Sequence, residues 1–139
     1  MRKLLALTAV VLLPTTALAE SFDQAFNMNR GMYGKDHTFT WSGKQYSTNH
    51  QEEVEASVEA TQANAAALVE KAKAKNAEAG AVGFEWKLTK GLIKEAEAAL
   101  AEGEYQKAMN LAAQAKYHAR IGIQQHEYAE SNWHLSIPQ

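Results

Sequence analysis

Glu104-Tyr105-Gln106-Lys107-Ala108-Met109-Asn110-Leu111-Ala112-Ala113-Gln114-Ala115-Lys116-Tyr117-His118-Ala119-Arg120-Ile121-Gly122 is the stretch that decides the fold. Tyr105, Ala108, Ala112, Ala115, Ala119 and Gly122 advance by alternating steps of three and four, and His126, Ala129 and Trp133 continue the series. That spacing keeps every member on one face of a single helix. The run from Ala108 to Gly122 is small at every seam position, which lets a neighbouring helix axis approach to the short end of the usual range of about 8–10 Å. The stretch therefore predicts a long helix over about 104–131 with a small-residue packing seam.

Working outward, Gly103 stops the preceding helix, and the short joint folds the two helices into an antiparallel hairpin. The earlier helix is expected over about 84–102, with Trp86, Thr89, Ile93, Ala96 and Leu100 on its inner face and Leu88, Leu92 and Ala99 widening it. Gly91 inside it costs about 1 kcal/mol against alanine and is expected to mark a close helix approach. The pattern Ala99-Leu100-x-x-Gly103-x-Tyr105-x-x-Ala108 resembles the hairpin of a tetratricopeptide repeat. One such unit cannot bury its own faces, so a third helix must complete the core. Residues 49–80 supply it: Thr48 or Asn49 as cap with Glu52 closing a capping box, then Val54, Val58, Thr61, Ala65, Leu68, Ala72 and Ala79 on one face, with Gly80 at the end. The expected fold is all-α, an alanine-rich antiparallel three-helix bundle.

Two terminal stretches read differently. Residues 1–19 open Met1-Arg2-Lys3, run apolar from Leu4 to Leu13, break at Pro14 and close on Ala17-Leu18-Ala19, the three-part pattern of a cleaved secretory signal peptide. The apolar run is too short to remain as a membrane span, so the expected location is the bacterial periplasm, with no membrane span in the mature protein. Removing those residues leaves 120, with 12 basic and 16 acidic side chains and 22 alanines against 18 Leu, Ile, Val and Phe together. The net negative balance argues against a dedicated nucleic-acid binder. Residues 20–48 form an aromatic arm (Phe22, Phe26, Tyr33, Phe39, Trp41, Tyr46), expected to be largely irregular. Thr38-Phe39-Thr40-Trp41 and Gln45-Tyr46-Ser47-Thr48 around Ser42-Gly43 also fit a small hairpin. The helical domain then covers 49–139.

Chemistry is sparse. The chain has no cysteine, which excludes disulfides, thiolate metal sites, covalent c-type haem and a cysteine nucleophile. No nucleophile elbow or phosphate loop surrounds its serines, and no cofactor is expected. His126-Glu127-Tyr128-Ala129-Glu130 begins like a zincin helix, but Glu130 stands where the second histidine belongs. A set of His126, Glu130 and His134 at four-residue steps remains as an alternative metal-binding reading; His118 and His134 point to opposite sides of a straight helix. The feature that asks for a partner is a second apolar stripe on the last helix, Tyr117, Ile121 and Tyr128, extended by Ile123. An apolar tail from Trp133 to Pro138 and the arm residue Trp41 join it as candidate anchors.

Glu85-Trp86-Lys87-x-Thr89, Leu92-Ile93-Lys94-x-Ala96-Glu97-x-Ala99, Gly103-Glu104-Tyr105-x-Lys107-Ala108, Leu111-Ala112-x-x-Ala115 and Gln124-Gln125 together resemble the SoxXA-binding protein family, also called SoxK. The resemblance spans 85–125. It implies a small, non-enzymatic periplasmic accessory of thiosulfate oxidation that associates with the SoxXA c-type cytochrome. In that setting the cytochrome couples thiosulfate to a cysteine of the SoxYZ carrier. Trp86, Thr89 and Tyr105 match the pattern and are carried over as structural residues.

Overall fold

The computed structural model describes residues 20–136. The signal-peptide reading of 1–19, and the end of the apolar tail at Ile137 and Pro138, lie outside the described residues. The chain is mostly helical, as expected: α1 (Phe22–Tyr33), a hairpin of β1 (Thr38–Trp41) and β2 (Lys44–Ser47), α2 (Gln51–Ala56), α3 (Gln62–Ala81), α4 (Lys87–Ala101) and α5 (Tyr105–Asn132), followed by a 3-10 turn, Trp133–Ser136. Among the described residues, five helices and a two-stranded sheet thus stand where three helices and a largely irregular arm with room for a small hairpin were expected.

The long helix is placed as its spacing requires as far as Gly122, whereas Ala129 and Trp133, expected to continue the packing seam, are exposed because the helix runs on past its neighbours. Ala108, Ala112, Ala115, Ala119 and Gly122 are all buried, and α5 packs against both α3 and α4 around one core that includes Leu68, Val69, Leu92, Ala96 and Met109. Alanine on α5 leaves room for the larger side chains of α3 and α4. Gly103, at φ +77°, closes α4, with the Glu104 amide donating to the Ala99 carbonyl at 2.9 Å. Gly122 is the close approach: a Cβ there would lie 2.5 Å from the Phe84 carbonyl oxygen. The corresponding expectation for Gly91 fails, because a Cβ there would meet nothing within 4 Å.

The helix expected over 49–80 is broken in two. Ser57 Oγ donates to the Val54 carbonyl at 2.7 Å, Thr61 Oγ1 accepts the Asn64 amide at 3.1 Å, and Asn64 Nδ2 donates to the Glu59 carbonyl at 2.8 Å. These side chains compete for main-chain groups that a continuous helix would use, and so end one helix and cap the next. Val54 and Val58, expected on the inner face, are each half exposed. Ala65, Leu68, Ala72 and Ala79 do face the core, all on α3. On α2 it is Glu52 and Ala56 that are buried.

The arm over 20–48, expected to be largely irregular, is a helix followed by the small hairpin that Thr38–Trp41 and Ser42-Gly43 allowed, its second strand starting one residue earlier, at Lys44. Ser21 and Gln24 cap α1 reciprocally: the Ser21 hydroxyl accepts the Gln24 amide at 3.2 Å, and Gln24 Oε1 accepts the Ser21 amide at 3.0 Å. Phe22 and Phe26, one turn apart, face the strands. The hairpin turns through Ser42 and Gly43, both at positive φ, in register Trp41↔Lys44 to Thr38↔Ser47. A two-residue loop with two positive φ values matches the twist of paired strands. Two strands alone are marginal in water; here Phe39 and Tyr46 pack with Phe22, whose ring lies 5.9 and 4.9 Å from theirs.

Candidate functional site

The N-terminal module (α1 and the hairpin) is fastened to the helical core through α2. Thr48, fully buried, exchanges hydrogen bonds between its hydroxyl and the His37 main chain at 3.0 and 3.1 Å. Asn49 Nδ2 donates to Asp36 Oδ1 at 2.9 Å. Neither Thr48 nor Asn49 caps the helix, as was expected of them. The cap is His50, whose amide donates to Glu53 Oε2 at 2.8 Å, so the acidic partner is Glu53 in place of Glu52.

That one-residue shift frees Glu52 for another task. Its side chain is 1% exposed and accepts from Arg120 of α5, Nε to Oε1 at 2.7 Å and an Nη2 contact to Oε2 at 3.2 Å. Burial pushes the Glu52 carboxyl upward, but the hydrogen bonds from Arg120 and Gln51 outweigh it and hold it below the usual carboxylate range. Glu53 also stays low: burial raises it, and the two-pronged contact from Arg30 of α1, 2.7 and 2.8 Å, more than compensates. Glu55 binds Lys116 of α5 at 2.6 Å. A six-residue helix with three carboxylates thus ties α1 on one side to α5 on the other.

Tyr117 lies at the centre of this junction. Its ring packs 4.6 Å from that of His50, and the Arg120 guanidinium sits over it at 5.2 Å. His50 also meets Phe26 at 5.3 Å. Burial, with the nearby Arg30 charge, lowers the His50 pKa and favours the neutral ring. His118, 5.5 Å from Trp86 by ring centroids, is lowered by burial alone.

Two clefts share His50 and Tyr117. One, of about 650 Å³, is lined by Phe22, Phe26 and Tyr46 of the module facing Tyr117 and Ile121 of α5. The other, of about 850 Å³, is lined mainly by polar side chains. The predicted stripe is therefore divided. Tyr117 and Ile121 are half-buried beside the N-terminal module, whereas Tyr128 is 68% exposed and Trp133 is 62% exposed. The inner end of the stripe is flanked by α1, the hairpin and the start of α2. Trp41 lies away from α5 in the module's aromatic cluster: its ring is 5.4 Å from Phe22, and its indole N–H donates to the Glu20 carbonyl at 2.9 Å.

The alternative metal set is not assembled. His126 packs against Phe84 at 5.4 Å, Glu130 and His134 are exposed, and no group of three or more His, Asp or Glu among the described residues is placed to hold a metal ion. None of the described helices is long and apolar enough to cross a membrane.

The site residues that sequence reasoning missed are Glu52, Glu53, Arg30 and Arg120. The Ser21-x-x-Gln24 capping box and the Phe22/Phe26 pair were readable signals for α1, and with α1 placed, Arg30 falls at its last turn beside α2. No protein family, curated protein or solved structure matches the chain.

Proposed function

We propose that the protein is a non-enzymatic accessory of the bacterial periplasm that binds the SoxXA c-type cytochrome of thiosulfate oxidation. Its contact surface is the outer stripe of α5. Tyr117, Ile121, Gln124 and Tyr128 follow one another by four, three and four residues, so they share one face of the helix. The stripe starts in the aromatic cleft beside Phe22 and Tyr46 and runs out to the bare end of the helix, about 16 Å away at 1.5 Å per residue. The single observation that carries the reading is the exposure of Tyr128 and Trp133 on that end, beyond the last buried seam residue, Gly122. Large aromatic side chains with few rotatable bonds make efficient interface anchors. Trp41, partly buried in the module's aromatic cluster, is the remaining candidate contact.

Support for the particular partner comes from the sequence: the Trp86-x-x-Thr89 start and the Ala-rich hairpin that resemble SoxXA-binding proteins, and the leader over 1–19. The packing is compatible with the structural roles given to the matched residues. Thr89 is fully buried on α4, and Tyr105 packs at the edge of the core. The three longest helices then serve as a rigid bundle that presents α5. Without cysteine, redox chemistry would belong to the partner.

Gel filtration of the secreted protein with purified SoxXA cytochrome tests the proposal. Co-elution detected at the haem absorbance is expected. Separate elution at concentrations of about 50 µM, where complexes with micromolar Kd persist, would count against it.

A further inference from the structure

The smaller cleft, between the N-terminal module and α5, joins aromatic walls to an unbalanced charge. Phe22 and Phe26 of α1, Tyr46 of β2 and Tyr117 of α5 line it, and all four rings are partly exposed. Ring faces carry the negative lobes of the aromatic quadrupole, so they attract a cation within about 6 Å of their centres. One ring of this cleft already holds a cation: the Arg120 guanidinium lies 5.2 Å from the Tyr117 centroid. The volume of about 650 Å³ falls within the range of small-ligand clefts, about 300–1,000 Å³.

Beside the two tyrosines, the ionisable residues lining the cleft are Asp23, His50 and Arg120. Arg120 is paired with Glu52 at 2.7 Å, so its charge is met. Burial favours the neutral form of His50. Asp23 is exposed and makes no ion pair or side-chain hydrogen bond among the described residues. It stands one residue from Phe22 and one helical turn from Phe26. With Arg120 and Glu52 cancelling, the cleft carries one net negative charge at neutral pH, beside the rings of α1.

Hydrogen-bonding capacity selects the kind of cation. A primary ammonium or a guanidinium brings several N–H donors that need acceptors, and Asp23 is the one uncommitted carboxylate here. The Asn49 side chain is bonded at both ends to Asp36, the Ser47 hydroxyl accepts the Asn49 amide, and Gln51 donates to Glu52. A quaternary ammonium has no N–H to satisfy and spreads its charge over methyl groups that fit against ring faces. The exposed amides of Asn27 and Gln124 are left for a neutral polar group such as a hydroxyl.

We propose that this cleft binds a small soluble molecule of the choline type, its quaternary ammonium held against Phe22, Phe26 and Tyr46 beside Asp23. The proposal does not rest on the cytochrome reading, whose anchors Tyr128 and Trp133 lie outside the cleft. Calorimetric titration of the purified protein with choline tests it. The counterparts are the neutral carbon isostere, with tert-butyl in place of trimethylammonium, and phosphatidylcholine vesicles. Saturable binding of choline is expected, with the neutral isostere about tenfold weaker or more. Asp23→Asn is an exposed change that leaves the Ser21–Gln24 cap in place and should weaken choline about threefold; Tyr46→Leu should weaken it about fivefold. If circular dichroism shows that Tyr46→Leu loosens the hairpin, Asp23→Asn alone decides. Tyr128→Ala/Trp133→Ala should bind choline as the parent does, so this site and the α5 stripe stand or fall separately. The proposal is overturned if choline binding does not saturate, if the neutral isostere binds equally well, if Asp23→Asn binds as tightly as the parent, or if only the vesicles bind.

Discussion

Glu52→Gln is the perturbation that probes the junction most sharply. The carboxylate is 1% exposed, and Arg120, its partner, is 24% exposed. Losing one member of a buried pair costs about 3–5 kcal/mol when the other charge is left fully buried. Arg120 retains some solvent and its place over Tyr117, so the expected loss lies lower, at about 2–3 kcal/mol. Against a total stability of about 5–15 kcal/mol, that is a large fraction. Urea unfolding followed at 222 nm reads the total, and amide exchange reads where it falls. Protection should drop first over α1 and the hairpin, which reach α5 through α2, while α3, α4 and the first half of α5 keep theirs. The double variant Glu52→Leu/Arg120→Leu should recover most of the loss, since it leaves no buried charge unpaired. A Glu52→Gln loss under about 0.5 kcal/mol, the size expected of an ordinary surface substitution, would refute the reasoning. Uniform loss of protection across all helices would refute the account of α2 as the tie.

Other outcomes follow from the same contacts. Gly91→Ala, on an open helix face, should raise stability by about 0.5–1 kcal/mol, whereas Gly122→Ala should lower it by about 1–2 kcal/mol because its Cβ meets the Phe84 carbonyl; thermal unfolding of both variants gives the two signs. His50 and His118 have folded pKa values below 6.5, so their contribution is full above that pH and is lost as pH falls through the folded values. Glu52 and Glu53 are likewise depressed below 4.5, adding a second loss at more acid pH. Urea midpoints between pH 8 and pH 3 should therefore fall in two stages, the first reduced in His50→Gln. Calorimetric titration with zinc or copper should show no site tighter than about micromolar that His126→Ala removes, because His126, Glu130 and His134 do not form a ligand set.

Helix α5 was legible because one physical requirement, small residues on a single face, fixed its extent and its buried seam from Ala108 to Gly122; beyond Gly122 the same spacing continues at Ala129 and Trp133 without burial. The hairpin joint at Gly103 was legible for a similar reason: a positive φ admits few residues. The break at 57–61 was not, since the periodicity of Val54, Val58 and Ala65 runs through it and only local hydrogen bonds of Ser57, Thr61 and Asn64 oppose it. Glycine carries no mark of its surroundings, so Gly91, expected at a close helix approach, lies open, while Gly122 on the small-residue seam makes the close contact expected of that seam. At the junction, Glu52 and Arg120 are 68 positions apart, and no local pattern links charges that tertiary packing brings together. In sequence Glu52 reads as the closing residue of a capping box, a role that Glu53 takes. Of the candidate contacts, Tyr128 and Trp133 remain open, while Tyr117 and Ile121 are shared with the module that covers them.

The most direct test of the central claim is calorimetric titration of purified SoxXA cytochrome into the purified protein and into its Tyr128→Ala/Trp133→Ala variant. Both side chains are exposed, so the variant should fold and unfold as the parent does. The account predicts a saturable complex of micromolar or tighter Kd that the double variant weakens at least tenfold, about 1.4 kcal/mol. No heat of binding, or equal affinity for parent and variant, would contradict it.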